Sequence, residues 1–202
     1  KKGMNVGLVS DRGTPIISDP GYEAAKKIIE EGFNVISIPG VTALIPALTS
    51  SGLIPQPFLF YGFLNSKDSK QKKELETLKN EKSTIIFYEA PHRITNTLNN
   101  ILEVFLVRDC SISREITKKF EEIYRGQISE VLPLLENAKG EMVIVVAGNN
   151  NVNTFSNLTI VEHVNLYIKE GKSVMDSIKL VAKERKLTKN EVYSSYHKGG
   201  DL

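Results

Sequence analysis

Residues 84–105 read TIIFYEAPHRITNTLNNILEVF and set the pattern of the whole chain. Thr84–Tyr88 is a short apolar run rich in β-branched and aromatic residues, which is typical of a buried strand. Pro91–Phe105 has a helical pattern, and its proline suits the first turn of a helix. The stretch therefore predicts one β–α unit, with the polar turn Tyr88–Arg93 between the strand and the helix.

The same alternation extends to both sides of this unit. The further predicted strands are Asn5–Val9, Asn34–Ile38, Phe58–Tyr61, Cys110–Arg114 and Met142–Ala147, and the further predicted helices are Tyr22–Glu31, Thr42–Ser50, Lys70–Asn80 and Ser129–Asn137. Such alternation predicts an α/β protein with a largely parallel sheet, to which Glu121–Gly126 adds an antiparallel strand. Beyond residue 157 the pattern is purely helical, with capping-box starts at Ser173–Asp176 and Thr188–Glu191.

Two breaks in the pattern divide the chain. SGLIPQP at 51–57 carries a glycine and two prolines, and GNNNVNTFSN at 148–157 is polar and lacks periodicity. The predicted organisation is an α/β domain over 1–54, a second α/β domain over 55–148, a linker over 149–158 and a small helical domain over 159–202.

Composition and charge narrow the class of protein. The 202 residues are 41% hydrophobic and 25% charged, as is ordinary for a soluble globular protein. A net charge of +2 does not indicate a nucleic-acid binder, although it is compatible with a local basic patch. The single cysteine, Cys110, excludes an internal disulfide and suits a reducing compartment. No apolar run approaches the roughly 18 residues that cross a bilayer, so we expect a cytoplasmic protein without membrane contact.

Polar turns follow several predicted strands, at the ends where ligands of open α/β sheets bind. They are SDRGTP (10–15), PGVTA (39–43), YEAPHR (88–93) and SREITKK (113–119). Asp11 could accept a hydrogen bond from a ligand, Gly13 allows close approach of the backbone, and Thr42 offers a hydroxyl. The third turn suits proton handling or a phosphate contact through Arg93.

Each turn also has a purely structural interpretation. Asp19 and Thr42 are good N-caps for the helices that follow them, and Glu89 is favoured beside a helix N-terminus. The run at 113–119 could bind an anionic polymer or be a solvated charged loop. The residues alone leave these alternatives open.

The sequences of these segments, and their order along the chain, resemble those of the tetrapyrrole-methylase superfamily. The segments are SDRGTPIISDPG (10–21), PGVTA (39–43), FYGFL (60–64), TIIFYEAPHR (84–93), SREITKKFEEIYRG (113–126) and KGEMVIVVAG (139–148). Within the superfamily they are similar to the bacterial methyltransferases that act on the ribose 2′-oxygen of a cytidine in 16S ribosomal RNA. The resemblance runs from about Gly3 to Gly148 and continues more loosely into residues 171–193.

The resemblance implies two α/β domains plus a small C-terminal helical region, with S-adenosylmethionine bound in the cleft between the domains. It also implies that the first domain is incomplete, because the family has further elements upstream of SDRGTP and only nine residues precede Ser10. We therefore expect the chain by itself to bind the donor weakly or not at all. The implied donor-contacting residues are Ser10, Asp11, Gly13, Thr14, Pro15, Ile17, Ser18, Thr42, Ala43, Tyr88, Glu89, Met142 and Val143.

The implied reaction needs help at the ribose hydroxyl, which is a poor nucleophile. The candidates for a base or a stabilising cation are Glu89, His92, Glu115 and Lys118, and those for holding the RNA backbone are Arg93, Arg114 and Lys119; no metal is required.

The implied partners are 16S rRNA or the small ribosomal subunit and a second copy of the chain. The alternatives are a methylase acting on a tetrapyrrole carbon and a donor-free RNA- or ribosome-binding module. The two helices around residue 187 could contact RNA or pack against the second domain.

Overall fold

The computed structural model describes residues 3–136, 138–149, 158–169, 171–185 and 187–198, and the chain divides into compact units of residues 1–149 and 150–202. The helices of the first unit are α1 (Tyr22–Glu30), α2 (Leu44–Ser50), α3 (Asp68–Leu78), α4 (Ile94–Phe105) and α5 (Ile128–Val131), the last followed by a 3₁₀ turn over Leu132–Leu135. Its strands are β1 (Phe58–Phe63), β2 (Thr84–Glu89), β3 (Asp109–Arg114), β4 (Glu122–Gln127) and β5 (Met142–Val146).

These strands form one sheet in the order β1-β2-β5-β3-β4. The β1–β2 pair is parallel, whereas β2–β5, β5–β3 and β3–β4 are antiparallel. The prediction of a largely parallel sheet is therefore wrong, because β5 enters between β2 and β3 in the opposite direction. The predicted antiparallel strand over 121–126 is confirmed as β4.

The direction of β5 decides which residues meet at one edge of the sheet. Met142, the first residue of β5, pairs with Glu89 at the end of β2 and with Arg114 at the end of β3. The polar turns after β2 and β3 therefore lie beside the residues that precede β5.

Side chains of the sheet alternate between two buried clusters, as the period of a strand requires. On one face Phe87 and Ile144 pack with Leu98 of α4. On the other face Ile86 packs with Leu48 of α2. Helices on both faces of the sheet confirm the predicted α/β class.

The predicted strands over 5–9 and 34–38 are not formed. Val6 is 89% exposed and Ile36 is 82% exposed, and neither segment pairs with another strand in the described part of the chain. A strand is stable only when its backbone groups pair with a neighbour. The apolar pattern of the two segments was therefore not sufficient to predict strands.

Helix starts differ from the predicted ones by up to three residues. α4 begins at Ile94 rather than Pro91, because residues 91–93 form a turn. Gly21 and Ala43 are the N-cap residues of α1 and α2, so neither Asp19 nor Thr42 caps a helix.

The predicted helix over 129–137 is shorter than expected. Its α-helical part ends at Val131 and a 3₁₀ turn follows. Pro133 lies in that turn and has no N–H for a helical hydrogen bond. Residue 137 lies outside the described residues.

The second unit is helical, as the pattern predicted. Its helices are α6 (Ile160–Lys169), α7 (Val174–Arg185) and α8 (Lys189–Lys198), and their core includes Val164, Ile178, Val181 and Val192. The predicted capping box at Thr188 forms, since Glu191 and Thr188 each donate the backbone N–H to the side chain of the other. At Ser173 the hydroxyl accepts the Asp176 N–H and donates to the Asp176 carboxylate, which is one half of a capping box. Residues 150–157 of the predicted linker lie outside the described residues. None of the described helices is long and apolar enough to span a bilayer.

Candidate functional site

A cavity of about 1100 Å³ opens where β2 and β3 end and β5 begins. It is lined by the turn after residue 10, the loop before α2 and the sheet edge: Asp11, Arg12, Gly13, Thr14, Ile17, Ser18, Asp19, Gly40, Val41, Thr42, Ala43, Ile45, Pro46, Phe63, Tyr88, Glu89, Ala90, Pro91, Ile116, Thr117, Lys118, Glu141, Met142 and Val143. Small-molecule sites range from about 300 to 1,000 Å³. The cavity is therefore large enough for a sizeable organic ligand.

The turn over 10–15 forms the first wall. The Ser10 hydroxyl donates to the Gly13 carbonyl at 2.9 Å, and Gly13 has a φ of 66°, which favours glycine. Thr14 donates from Oγ1 to the Val41 carbonyl at 3.1 Å. This bond joins the turn to the loop before α2, so the two walls form one piece.

The end of β2 forms an aromatic wall. The hydroxyl oxygens of Tyr88 and Thr42 lie 3.4 Å apart. The Tyr88 ring contacts Phe60 edge-on, with centroids 4.9 Å apart, and its centroid lies 5.8 Å from that of Phe63. Ring surfaces with a hydroxyl at their edge suit a flat ligand that carries hydrogen-bonding groups.

Glu89 has a fully buried side chain with several donors around it. Its Oε1 accepts from the backbone N–H of Ala90 at 2.8 Å and lies 3.3 Å from Nε of Arg93. Its Oε2 accepts from the Thr97 hydroxyl at 2.6 Å. Both oxygens are therefore engaged in holding the start of α4 to the end of β2. These contacts favour a role for Glu89 in positioning its neighbours over a role as a catalytic base.

Arg93 and His92 do not line the cavity. The Arg93 guanidinium donates to the carbonyls of Leu64 and Asn65 at 2.9 and 3.1 Å, in addition to its contact with Glu89. This arrangement joins β1 to α4, and the RNA contact of Arg93 stays a prediction. His92 is exposed on the turn before α4.

A row of side chains with alternating charges lies on the solvent side of the cavity. Nη1 of Arg12 donates to Oε1 of Glu141, and Nζ of Lys118 lies 2.7 Å from Oε2 of the same carboxylate. Lys118 also contacts Oε1 of Glu115 at 3.0 Å. The same Glu115 oxygen accepts the backbone N–H of Glu141 at 2.8 Å. These four residues, Arg12, Glu115, Lys118 and Glu141, are called the ion network below.

Each charge of the ion network stabilises its neighbours. Hydrogen bonds to Glu141 and Glu115 raise the pKa of Lys118 above its usual value. The hydrogen bond from Lys118, assisted by Arg12, lowers the pKa of Glu141 against the opposing effect of partial burial. The Glu141 backbone N–H and Lys118 lower the pKa of Glu115. Lys118 is therefore an ammonium at neutral pH and cannot accept a proton there.

The other predicted RNA contacts, Arg114 and Lys119, lie outside the cavity. Arg114 donates from Nε to the Lys139 carbonyl at 2.6 Å and pairs with Glu122 at 2.8 Å. Its guanidinium thus holds the loop after β3, and its contact with RNA stays a prediction. Lys119 is exposed, with its ammonium 5.5 Å from the centroid of the Phe120 ring.

The structure brings most of the predicted site residues together. All the predicted donor contacts line the cavity except Ser10 and Pro15, and Ser10 supports the turn through its bond to Gly13. Of the predicted catalytic residues, Glu89 and Lys118 line it, Glu115 lies behind Lys118, and His92 stands apart. In the described part of the chain no cluster of histidine, cysteine or carboxylate side chains could hold a metal.

The sequence did not predict Arg12 and Glu141 as charged groups of the site, although the implied donor segment Ser10–Pro15 includes Arg12. Both stand in segments that the resemblance had selected, but their charges are separated by more than a hundred positions in the chain. Their meeting follows from the reversed direction of β5, which the alternation of strands and helices did not predict.

Comparisons with known proteins identify the family of the chain. The family model of the tetrapyrrole (corrin/porphyrin) methylases matches residues 1–132. A protein of Bacillus subtilis (strain 168) named ribosomal RNA small subunit methyltransferase I is 46% identical over 205 residues, which cover 98% of this chain and 70% of that protein. The protein of the same name from Halalkalibacterium halodurans is 41% identical over 203 residues, which cover 97% and 70%.

A solved structure has a similar fold. The methyltransferase CobJ matches with a TM-score of 0.52 and 20% identity, over 68% of this chain and 62% of that chain. At this identity the likeness concerns the fold alone. Since the family model covers more than half of the residues and the relatives match almost all of them, the chain belongs to the tetrapyrrole methylase family.

Proposed function

We propose that this chain belongs to an S-adenosylmethionine-dependent methyltransferase that modifies the ribose 2′-hydroxyl of a cytidine in small-subunit (16S) ribosomal RNA. The similar proteins from two organisms both carry a name that specifies small-subunit ribosomal RNA. One structural observation supports the proposal most directly: distant segments of the chain converge on one cavity, whose solvent side carries Arg12 and Lys118.

The cavity suits a donor that combines a flat ring, a ribose and a charged tail. Phe63 and Ile45 offer apolar surface, whereas Asp11 and Thr42 offer hydrogen-bonding groups. When bound, S-adenosylmethionine supplies an electrophilic methyl group on its sulfonium. The proposed donor contacts are Asp11, Gly13, Thr14, Ile17, Ser18, Thr42, Ala43, Tyr88, Glu89, Met142 and Val143, with Ser10 and Pro15 supporting them.

Lys118 is the proposed catalytic cation. Lys118 lines the cavity, and hydrogen bonds in the ion network raise its pKa, which favours the ammonium form further. An ammonium directed at the ribose 2′-oxygen stabilises the negative charge that develops as the hydroxyl loses its proton. The proton passes to a water molecule while the 2′-oxygen takes up the methyl group, so no positive charge accumulates on that oxygen beside the ammonium.

The remaining predicted residues take supporting roles in this proposal. Glu89 and Glu115 are positioning residues, because one holds the start of α4 and the other holds Lys118. Lys119 is the proposed contact to the RNA backbone, since it is exposed next to Lys118. His92 reaches substrate only if the RNA extends over the turn before α4.

The finer expectations from the sequence are also proposals. They are a cytoplasmic location, a homodimer, binding to the small ribosomal subunit and a division of the first unit near residue 54. Sedimentation of the complete protein at several concentrations tests the homodimer, and a monomer throughout would contradict it.

Methylation of purified small subunits by the complete protein tests the proposed function. With S-adenosylmethionine, mass-spectrometric mapping should locate one new 2′-O-methylcytidine in 16S rRNA. Methylation of a tetrapyrrole instead would favour the carbon methylase, and RNA binding without calorimetric binding of the donor would favour a donor-free module.

A further inference from the structure

We propose that Glu141 is a positioning residue for the methyl transfer: its carboxylate fixes Lys118 and Arg12 at the solvent side of the cavity. This inference rests on the proposed function. Glu141 lies outside the four polar turns that the sequence marked as candidates for chemistry. The inference follows from the contacts of its carboxylate.

The two oxygens of Glu141 serve different cations. Oε1 accepts from Arg12, which belongs to the turn over 10–15, and Oε2 lies 2.7 Å from Nζ of Lys118. A single side chain thereby joins the proposed donor wall to the loop that carries the proposed catalytic cation.

Glu141 is the member of the ion network whose backbone is tied to the sheet. It directly precedes β5, whose first residue, Met142, is paired on both sides within the sheet. The Glu141 carbonyl also accepts the backbone N–H of Glu115 at 2.9 Å, which extends the β3–β5 pairing by one bond. Arg12 and Lys118, in contrast, lie in segments without regular structure.

The ion network fixes the position of the Lys118 ammonium and adds no net charge to the cavity. Lysine has a flexible four-carbon stem, so one carboxylate would leave its ammonium free to move. Two carboxylates at 2.7 and 3.0 Å confine Nζ of Lys118 to one place. Two cations and two carboxylates also balance, so the network by itself does not attract a phosphate.

The test is Glu141→Gln in the complete protein, with small subunits as substrate. We expect kcat to fall about 10- to 100-fold, because the catalytic group is then misplaced. The KM for the small subunit and the Kd for S-adenosylmethionine should stay within about twofold of the wild-type values. Glu103→Gln is the matched control, because it removes a carboxylate that pairs with Lys72 at 2.6 Å, away from the cavity.

A double-mutant cycle with Lys118→Met separates positioning from a general structural effect. If Glu141 acts through Lys118, adding Glu141→Gln to Lys118→Met should change kcat by less than about twofold. Glu141→Asp keeps the charge and should recover part of the activity. Wild-type kcat in Glu141→Gln, or the same fold loss in both backgrounds, would overturn the inference. Absence of methylation by the wild-type protein would instead overturn the proposed function, and the inference with it.

Discussion

The hydroxyl of Thr97 donates a hydrogen bond of 2.6 Å to Oε2 of Glu89, inside the protein, where the Glu89 side chain has no solvent exposure. Thr97 in turn accepts from Nε2 of Gln71 at 3.1 Å. Because Glu89 lines the cavity and Gln71 belongs to α3, this pair couples the site to the packing of two helices.

Thr97→Val should destabilise the protein. The substitution keeps the shape but leaves a buried carboxylate oxygen with one donor fewer, which costs about 1–3 kcal/mol. Urea denaturation measures the free energy of unfolding, and Thr97→Ser, which retains the hydroxyl, is the control. Equal stability of the two variants would show that the hydrogen bond contributes nothing.

Lys118→Met should abolish most of the turnover without loss of donor binding. Removing one group that stabilises developing negative charge costs about 10²- to 10³-fold in kcat. Single-turnover methylation of small subunits measures this loss, and calorimetry measures the donor Kd. Lys72→Met, at an exposed ion pair remote from the cavity, should behave as wild type. Normal turnover in Lys118→Met would remove Lys118 from the mechanism.

Gly140→Ala should displace the loop after β3. Gly140 has a φ of 94°, and a Cβ there would lie 2.4 Å from Cγ of Glu115. We expect a loss of roughly 1–3 kcal/mol in unfolding free energy, from the strained backbone and the clash together. Gly32→Ala tests the backbone alone, since Gly32 has a φ of 79° and open space around it. A smaller loss in Gly140→Ala than in Gly32→Ala would contradict this account.

The stabilisation that the ion network gives to the folded protein should be lost at acid pH. The pKa of Glu115 is lowered below its usual 4.5, first by the Glu141 N–H and then by Lys118. A carboxyl whose pKa is depressed by folding stabilises the protein above its unfolded pKa, and that contribution is lost as pH falls through the folded value. The Tm of the wild type should therefore exceed that of Glu115→Gln at pH 6, and the difference should shrink below pH 4.5. A difference that is constant over this range would argue against the coupling.

Cys110 should be unreactive in the folded protein. Burial, assisted by Asp109, raises the pKa of its thiol to about 12. Since the thiolate is the reactive form, Ellman's reagent should label native protein far more slowly than protein unfolded in urea. As Cys110 is the single cysteine, the labelling rate reports on this site alone. Rapid labelling of the native protein would contradict the burial of Cys110.

Local structure was largely readable from the sequence, because it depends on neighbouring residues. The strand Thr84–Tyr88 and the capping box at Thr188 are confirmed, since strand pattern and cap chemistry act over a few positions. The motifs shared with the tetrapyrrole methylases also selected segments that come together around one cavity.

Tertiary structure alone decided how those segments meet. The direction of β5 places Met142 beside Glu89, and it brings Glu141 to Arg12 and Lys118. The two arginines predicted to hold RNA also bond to nearby carbonyls and carboxylates, as Arg93 does with Leu64. Residues 5–9 have an apolar pattern but form no strand, because no neighbouring strand pairs with them in the described part of the chain. Strand pairing and ion pairing join residues that are distant in the chain, and a local pattern does not specify the partner.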